Sequence, residues 1–198
     1  DPVNTRYYHD NSYKTDVNMY GKVQHYLGKV ALFADAQVRY IQYNFLGFDQ
    51  NLNNIQQTVD YTFFNPKAGA VYAFSDSSDM YVSYSVAGKE PNRNDFVNST
   101  LMSRPKAELL HDVEVGCRKT WKRASFSANM YYMHYKNQLI LTGKINDVGA
   151  YNRINVPVSY RTGIELAGSV NITRYMHWSG NITLSENKIK AFTEFVDI

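Results

Sequence analysis

The chain has 198 residues, enough to bury a core as a single domain. Its formal net charge of +3 is too small to indicate a nucleic-acid partner, and its single cysteine excludes an internal disulfide. With 44% apolar residues, no segment is hydrophobic enough for a transmembrane helix. The 17 tyrosines favour a surface between two solvents, because the tyrosine ring is apolar and its hydroxyl is hydrated.

Alternation of apolar and polar residues with a period of two is the dominant pattern along the chain. It predicts an all-β fold without an amphipathic helix, built as an antiparallel up-and-down meander of about eight long strands. The strands are expected at about residues 12–26, 29–45, 63–74, 80–87 and 106–119, then around 126–132 and 160–169, and finally at 177–188.

Each predicted strand has one apolar and one polar face. In the second strand, Leu32, Ala34 and Val38 alternate with Asp35 and Arg39. A polar face that carries charges in nearly every strand does not suit the dry interior of a β-sandwich. It suits a wide lumen filled by water or by a polar plug.

The predicted connections alternate between short and long, so all short turns lie at one end of the sheet and all long loops at the other. Long polar loops are expected at about 47–62 and 88–105 and between the sixth and seventh strands. Long strands with this asymmetry are typical of an outer-membrane β-barrel. Four of the five prolines are placed at the long-loop end, where no ladder donor is lost: Pro66, Pro91, Pro105 and Pro157.

Aromatic residues cluster near the predicted short turns. Such a cluster indicates one girdle at a membrane interface. Its members are Trp121, Trp178, Tyr26, Phe74, Phe126 and Tyr175.

Several short segments, in their order and spacing over Phe63 to Gly168, resemble those of TonB-dependent outer-membrane receptors. Residues 109–112 differ from the sequence usual in that family, and Val113 occupies a position where tyrosine is common. The segments that carry the resemblance are Asn65–Gly69 with Tyr72, Tyr81–Ser85 through Lys89–Asn92, Arg104–Glu108 with Val113–Gly116, Tyr135–Leu139 and Arg161–Leu166.

The resemblance implies a 22-stranded barrel with an N-terminal plug in the bacterial outer membrane. Such a receptor imports a scarce ligand (siderophore-bound iron, haem, cobalamin or an oligosaccharide) with energy from a TonB complex. Residues 1–198 are expected to form about eight strands of the barrel and no plug. The implied partners are outer-membrane lipid and lipopolysaccharide, the TonB complex through the missing plug region, and an unknown small ligand.

No motif indicates an enzyme, and no catalytic, cofactor-binding or metal-ligating residues are predicted. The five histidines are scattered without the spacing of metal ligands. Recognition is expected in the long loops, where cationic and aromatic groups could hold an anionic chelate or stack on a sugar ring, unless they are solvated or contact lipopolysaccharide. The candidates are Lys89, Arg93 and Arg104 in one loop and Lys144, Tyr151 and Arg153 in another.

Two alternatives fit the same pattern. A self-contained eight-stranded outer-membrane barrel would have to close its lumen around the charges of the polar face. A secreted, glycan-binding β-sandwich would pack its apolar face against a second sheet. If the chain is instead part of a larger barrel, its isolated sheet has two open edges and is expected to curl into a smaller barrel or to pair with another copy.

Overall fold

The structure is a computed structural model that describes residues 9–48, 54, 56–97, 104–145 and 151–190. It contains eight strands and one short helix. The strands are β1 (His9–Leu27), β2 (Val30–Phe48), β3 (Gln57–Ser75), β4 (Ser78–Lys89), β5 (Glu108–Thr120), β6 (Ala124–Ile145), β7 (Tyr151–Asn171) and β8 (His177–Ile189), and helix α1 (Arg93–Val97) lies between β4 and β5.

All eight strands form one sheet in the order β1 to β8, and each strand is antiparallel to the next. The predicted up-and-down meander is confirmed. The β1–β2 pair shows how regular the ladder is, since its register runs without a shift from His9 opposite Phe48 to Leu27 opposite Val30. Within the described ranges, no helix has the length and apolar character needed to cross a membrane.

The strands extend further toward the long-loop end than the apolar pattern predicts. The segment expected to be a loop at 47–62 is partly strand, because β2 ends at Phe48 and β3 begins at Gln57. The predicted all-β fold is confirmed, and one five-residue helix, α1, occupies part of the connection between β4 and β5. The backbone hydrogen bonds between strands continue past the point where the apolar residues change from one face to the other. A prediction based on apolar residues at one face therefore ends the strands too early.

Two of the four prolines assigned to the loop end lie inside strands. Pro66 is in β3, just beyond Lys67, where the pairing of β3 with β4 begins. Pro157 is in β7, just beyond Ser159, where the pairing of β7 with β8 begins. In each case the missing N–H falls where the ladder on one side has ended, so the sheet loses no hydrogen bond there.

The two faces of the sheet differ in exposure as well as in polarity. We call the face that carries Leu32 and Val38 the outer face, and the face that carries Asp35 and Arg39 the inner face. Outer-face apolar side chains are open, with Met19 at 75% exposure, whereas the polar inner-face positions of β2 are less exposed than their neighbours. The described strands form a single sheet with an open apolar face, which contradicts the sandwich alternative.

Glycines on the inner face make room for aromatic rings of the neighbouring strand. Among the described glycines, an added Cβ would fall within 3 Å of ring atoms at Gly88, beside Phe63, and at three further positions. Such a ring covers the backbone where the glycine has no side chain. The three further pairs are Gly69 with Phe33, Gly116 with Tyr81, and Gly163 with Tyr131.

Six aromatic side chains are exposed near the short turns, as the sequence predicts: Tyr26, Phe74, Trp121, Phe126, Tyr175 and Trp178. Further aromatic side chains lie on the outer face at greater distance from the short turns and include Tyr40, Tyr84, Tyr132 and Tyr160.

The substitution Gly69→Ala tests the packing of the inner face. Its Cβ would lie 2.5 Å from the carbonyl oxygen of Val82 and would also meet the ring of Phe33, so the strands must shift. We expect a loss of about 1–3 kcal/mol of unfolding free energy, typical of overpacking. Urea unfolding followed by tyrosine fluorescence measures it. Gly21→Ala is the matched control, because a Cβ at Gly21 meets nothing within 4 Å; equal stability of the two variants would contradict this packing.

Candidate functional site

The polarity of the inner face reverses toward the loop end of the sheet. Near the short turns this face carries Asp35 and Gln37, but further along β2 it carries Ile41, Tyr43 and Phe45, which are all buried. Phe63 of β3 joins them, and Val59 and Tyr61 pack against the same cluster. A dry patch on an otherwise polar face needs a cover, because exposed apolar area of this kind is costly in water.

The connection between β4 and β5 supplies the cover. Phe96 of α1 is 2% exposed, and its ring centroid lies 5.3 Å from that of Phe45 and 6.1 Å from that of Tyr43. The helix is held in shape by a reciprocal cap, in which the N–H of Asp95 donates to Oδ1 of Asn92 and the N–H of Asn92 donates to Oδ2 of Asp95. This capping box fixes the first turn of α1 without help from the sheet.

The same connection is tied to β7 on the other side of the inner face. Nη1 of Arg153 lies 3.7 Å from Oδ1 of Asp95. Further along, the N–H of Lys106 donates to Oδ1 of Asn155, and Nδ2 of Asn155 donates to the carbonyl oxygens of Lys106 and Asn137. The connection therefore contacts β2 and β7 and bridges much of the width of the inner face.

Four charged side chains meet where this connection leaves β4. Glu90 accepts a hydrogen bond from Nζ of Lys14 at 2.8 Å and bonds from Nη1 and Nη2 of Arg39 at 3.1 and 3.2 Å. Arg39 also donates to both carboxylate oxygens of Asp16, from Nε at 3.1 Å and from Nη2 at 2.6 Å. We call these four residues the charge cluster. It places two cations of β1 and β2 around one carboxylate of the loop.

The environment of Glu90 favours its charged form. Burial alone would raise the pKa of this carboxyl, but the hydrogen bond from Lys14 and the positive charges of Lys14 and Arg39 outweigh it, so the pKa lies below its ordinary value of 4.5. At neutral pH Glu90 is an anion held by two cations. Among the described residues, no group of three or more His, Cys, Asp or Glu side chains could hold a metal ion. The site is thus a network of ion pairs between Lys14, Arg39, Asp16 and Glu90.

Comparison with known proteins identifies the family. A model described as "TonB dependent receptor-like, beta-barrel" matches residues 1–196. The chain belongs to this family. Among curated proteins, none has a sequence that matches that of this TonB-dependent receptor barrel significantly.

Solved structures of similar shape come from larger proteins. The copper transporter OprC superposes with a TM-score of 0.78 at 14% identity, over 91% of this chain and 29% of that protein. The ferric-catecholate import receptor Fiu from E. coli K12 gives 0.69 at 18% identity, over 96% and 30%. The siderophore receptor PiuA from Acinetobacter baumannii gives 0.70 at 15% identity, over 91% and 26%. This chain thus spans less than a third of the length of these three neighbours, and at such identities they share its fold.

The three cations predicted in the first loop of this receptor barrel lie in different settings. Lys89 is the last residue of β4, is 72% exposed, and has its Nζ 3.6 Å from Oε1 of Glu108. Arg93 is the first residue of α1 and is partly buried, with interactions of its own. Arg104 is exposed at the far side of the connection. A role of these three residues in ligand binding stays a prediction.

The second group of predicted site residues belongs to strands. Lys144 lies in β6, and Tyr151 and Arg153 lie in β7, so their assignment to a loop is wrong. The side chains of Lys144 and Tyr151 fall outside what the structure describes. Arg153 contacts Asp95 and helps to hold α1. Arg153, from the second predicted group, therefore contacts the connection that holds the first group. The contact is an ion pair within the chain.

Sequence reasoning missed the charge cluster and the seat of Phe96, which is the buried cluster of Ile41, Tyr43, Phe45 and Phe63. A signal for Phe96 was present, because an apolar residue stands directly after Asn92 and Asp95, which have the spacing of a helix cap. The switch from Arg39 to Ile41 on one face of β2 also marked the dry patch. The pairing of Glu90 with Lys14 had no local signal, since the two residues are 76 positions apart.

Replacing Phe96 with alanine tests how the connection is held. We expect the loop to undock, because removal of a buried phenylalanine side chain costs about 3–5 kcal/mol. Amide hydrogen exchange of residues 92–97 should become faster, while exchange in β2 and β3 stays slow. The exposed neighbour Asn94 provides the control, and Asn94→Ala should leave the exchange rates close to wild type. Unchanged protection in Phe96→Ala would contradict this account of the docking.

The charge cluster gives loop docking a defined pH dependence. Since the pKa of Glu90 is lower in the folded state than the usual 4.5, its contribution is complete above about pH 4.5 and is lost as pH falls through the folded value. Exchange of the amides of Lys89 and Glu90 in wild type should thus approach that of Glu90→Gln as pH falls below 4.5, while the cap and Phe96 keep residues 92–97 protected. The comparison with Glu90→Gln isolates this carboxyl from the other acids. A constant difference in exchange rate between wild type and Glu90→Gln from pH 7 to pH 3 would refute this pH dependence.

Proposed function

We propose that this chain forms part of the barrel wall of an outer-membrane receptor that imports a scarce ligand with energy supplied through a TonB complex. The observation that carries the proposal is the match of a TonB-dependent receptor barrel model to residues 1–196. The two-faced sheet supports it, because an open apolar outer face and a charged inner face suit a wall between lipid and an aqueous lumen.

The proposed location is the bacterial outer membrane, with lipid and lipopolysaccharide against the outer face. Support comes from the exposed apolar side chains of the outer face and from the exposed aromatic side chains beside the short turns, both tryptophans among them, which suit the level of the head groups. The long-loop end, with the charge cluster and α1, then faces the outside of the cell.

A larger closed barrel is proposed to complete the sheet. The chain covers 24–32% of the lengths of its structural neighbours, so most of each neighbour lies outside the matched part. In the described sheet, β1 and β8 stand at opposite ends of the strand order, and each is paired on one side. Further strands of the receptor would pair with these edges, and a plug inside the barrel would carry the contact with TonB.

Metal ions or their chelates are the proposed class of imported ligand. The support is that structures of the same fold are described as a copper transporter, an iron transporter from Neisseria meningitidis and a ferric-catecholate import receptor. Haem, cobalamin and oligosaccharides are the other ligand types that the resemblance implies. The route would run along the inner face, past the loops that carry Glu90 and α1.

Deletion of the gene that encodes the receptor tests the proposal. Accumulation of radiolabelled iron or copper, supplied as ferric catecholate, ferric hydroxamate or a copper salt, should fall in the deletion strain for one of these nutrients. It should return with the gene on a plasmid, and an uncoupler of the proton-motive force should abolish it. Uptake of every tested nutrient at the wild-type rate, with or without energy, would refute the proposal.

A charge placed on the outer face tests membrane exposure. Met130 of β6 is exposed on the outer face in an apolar row with Val115 and Ile164, so Met130→Arg should cost about 2–4 kcal/mol and lower the amount of folded receptor in outer-membrane fractions. Ser127→Arg is the control, because Ser127 lies on the inner face and borders a cavity of about 410 Å³ beside Glu114. Equal amounts of the two folded variants would contradict lipid contact at Met130.

A further inference from the structure

We propose that Lys14 and Arg39 form a binding subsite for an anionic group of the incoming ligand, and that Glu90 occupies this subsite in the present structure. The inference rests on the proposed function, because it treats the inner face as the route of the ligand. It adds the charge class of the ligand and the residue that competes with it.

The contacts of Glu90 are those of a bound anion. Its carboxylate takes three hydrogen bonds of 2.8–3.2 Å from two cations, and its side chain is only 10% exposed. The cations come from neighbouring strands and the carboxylate from a distant loop, so the pairing is not a product of local chain geometry. Bonds between ionised groups are about twice as strong as neutral ones, which suits recognition of carboxylate or phosphate.

The two cations are held in place independently of Glu90. Nζ of Lys14 lies 5.2 Å from the ring centroid of Tyr43, and it is also 3.5 Å from Oδ2 of Asp16. Arg39 is fixed by its two hydrogen bonds to Asp16. When Glu90 leaves, Lys14, Arg39 and Asp16 remain with a net charge of +1. A preorganised site with excess positive charge attracts an anion.

The loop can release Glu90 and keep its own structure. Phe96 stays in its apolar seat, and the reciprocal cap between Asn92 and Asp95 does not involve the charge cluster. Pro91, next to Glu90, is buried and limits how far the chain can move. Exchange of Glu90 for a ligand anion therefore needs rotation of one side chain and a small shift of residues 89–91.

The chemistry of the subsite discriminates between ligand classes. One carboxylate or phosphate oxygen pair can replace the oxygens of Glu90 on Lys14 and Arg39, because the guanidinium fork suits planar and tetrahedral anions alike. A neutral sugar hydroxyl has no charge with which to compete against Glu90. The subsite therefore favours ligands that present a free carboxylate or phosphate group over neutral ligands.

Titration of the purified full-length receptor in detergent tests the inference. The probes are citrate and inorganic phosphate at pH 7 and low ionic strength, where screening is weak. Glu90→Gln should bind at least one probe about tenfold more tightly than wild type, if the subsite is free about a tenth of the time in the wild type. Calorimetry measures the affinities. Glu186→Gln is the matched control, since Glu186 pairs with Lys188 on the outer face and should leave the affinity unchanged.

Second-site variants decide where the anion binds. In Glu90→Gln, the added changes Lys14→Gln and Arg39→Gln, made one at a time, should each abolish the gain in affinity. If Arg39→Gln does not assemble, Lys14→Gln alone decides. Unchanged affinity in Glu90→Gln, or a gain that survives the loss of Lys14, would overturn the inference. Nutrient uptake by cells that carry Glu90→Gln is scored separately, so energised uptake without anion binding would refute the subsite and leave the proposed function intact.

Discussion

The backbone ladder between neighbouring strands is the constraint on which the whole structure depends. From β1 to β8 each strand is paired with the next, and in the described ladders the register shifts between Ala73 and Ser75 and between Leu141 and Ile145. With the backbone groups paired inside the sheet, the side chains alone decide what each face contacts. The apolar outer face and the charged inner face are two independent surfaces supported by one hydrogen-bonded framework.

The fold was largely predictable because its signal is local. Alternation in segments such as Leu32 to Val38 depends only on neighbouring residues, and it identified eight strands, their faces and the positions of the short turns. The strand ends toward the loops were not predictable in this way. At Ile41 the apolar residues move to the other face, so the rule that located β2 fails although the ladder continues to Phe48.

The candidate site was much less accessible to sequence reasoning. Lys89, Arg93 and Arg104 were selected because loops often carry recognition, but the ionic centre combines Lys14 and Arg39 of the first two strands with Glu90. Contacts between residues so far apart in sequence arise from the way the sheet curves and the loop folds back, and neither leaves a spacing pattern in the chain. Among the residues predicted for the second loop, Arg153 does take part in this region, through its contact with Asp95.

The distance in sequence between Phe96 and its seat has a consequence for the order of assembly. The seat is built by β2 and β3, and the neighbouring cation Lys14 comes from β1, whereas Phe96 follows β4. The connection can dock only after the three preceding strands have aligned. Its docking is therefore a late step of folding that depends on the register of those strands. A misaligned early hairpin would deprive Phe96 of its apolar seat and leave the connection open to proteases.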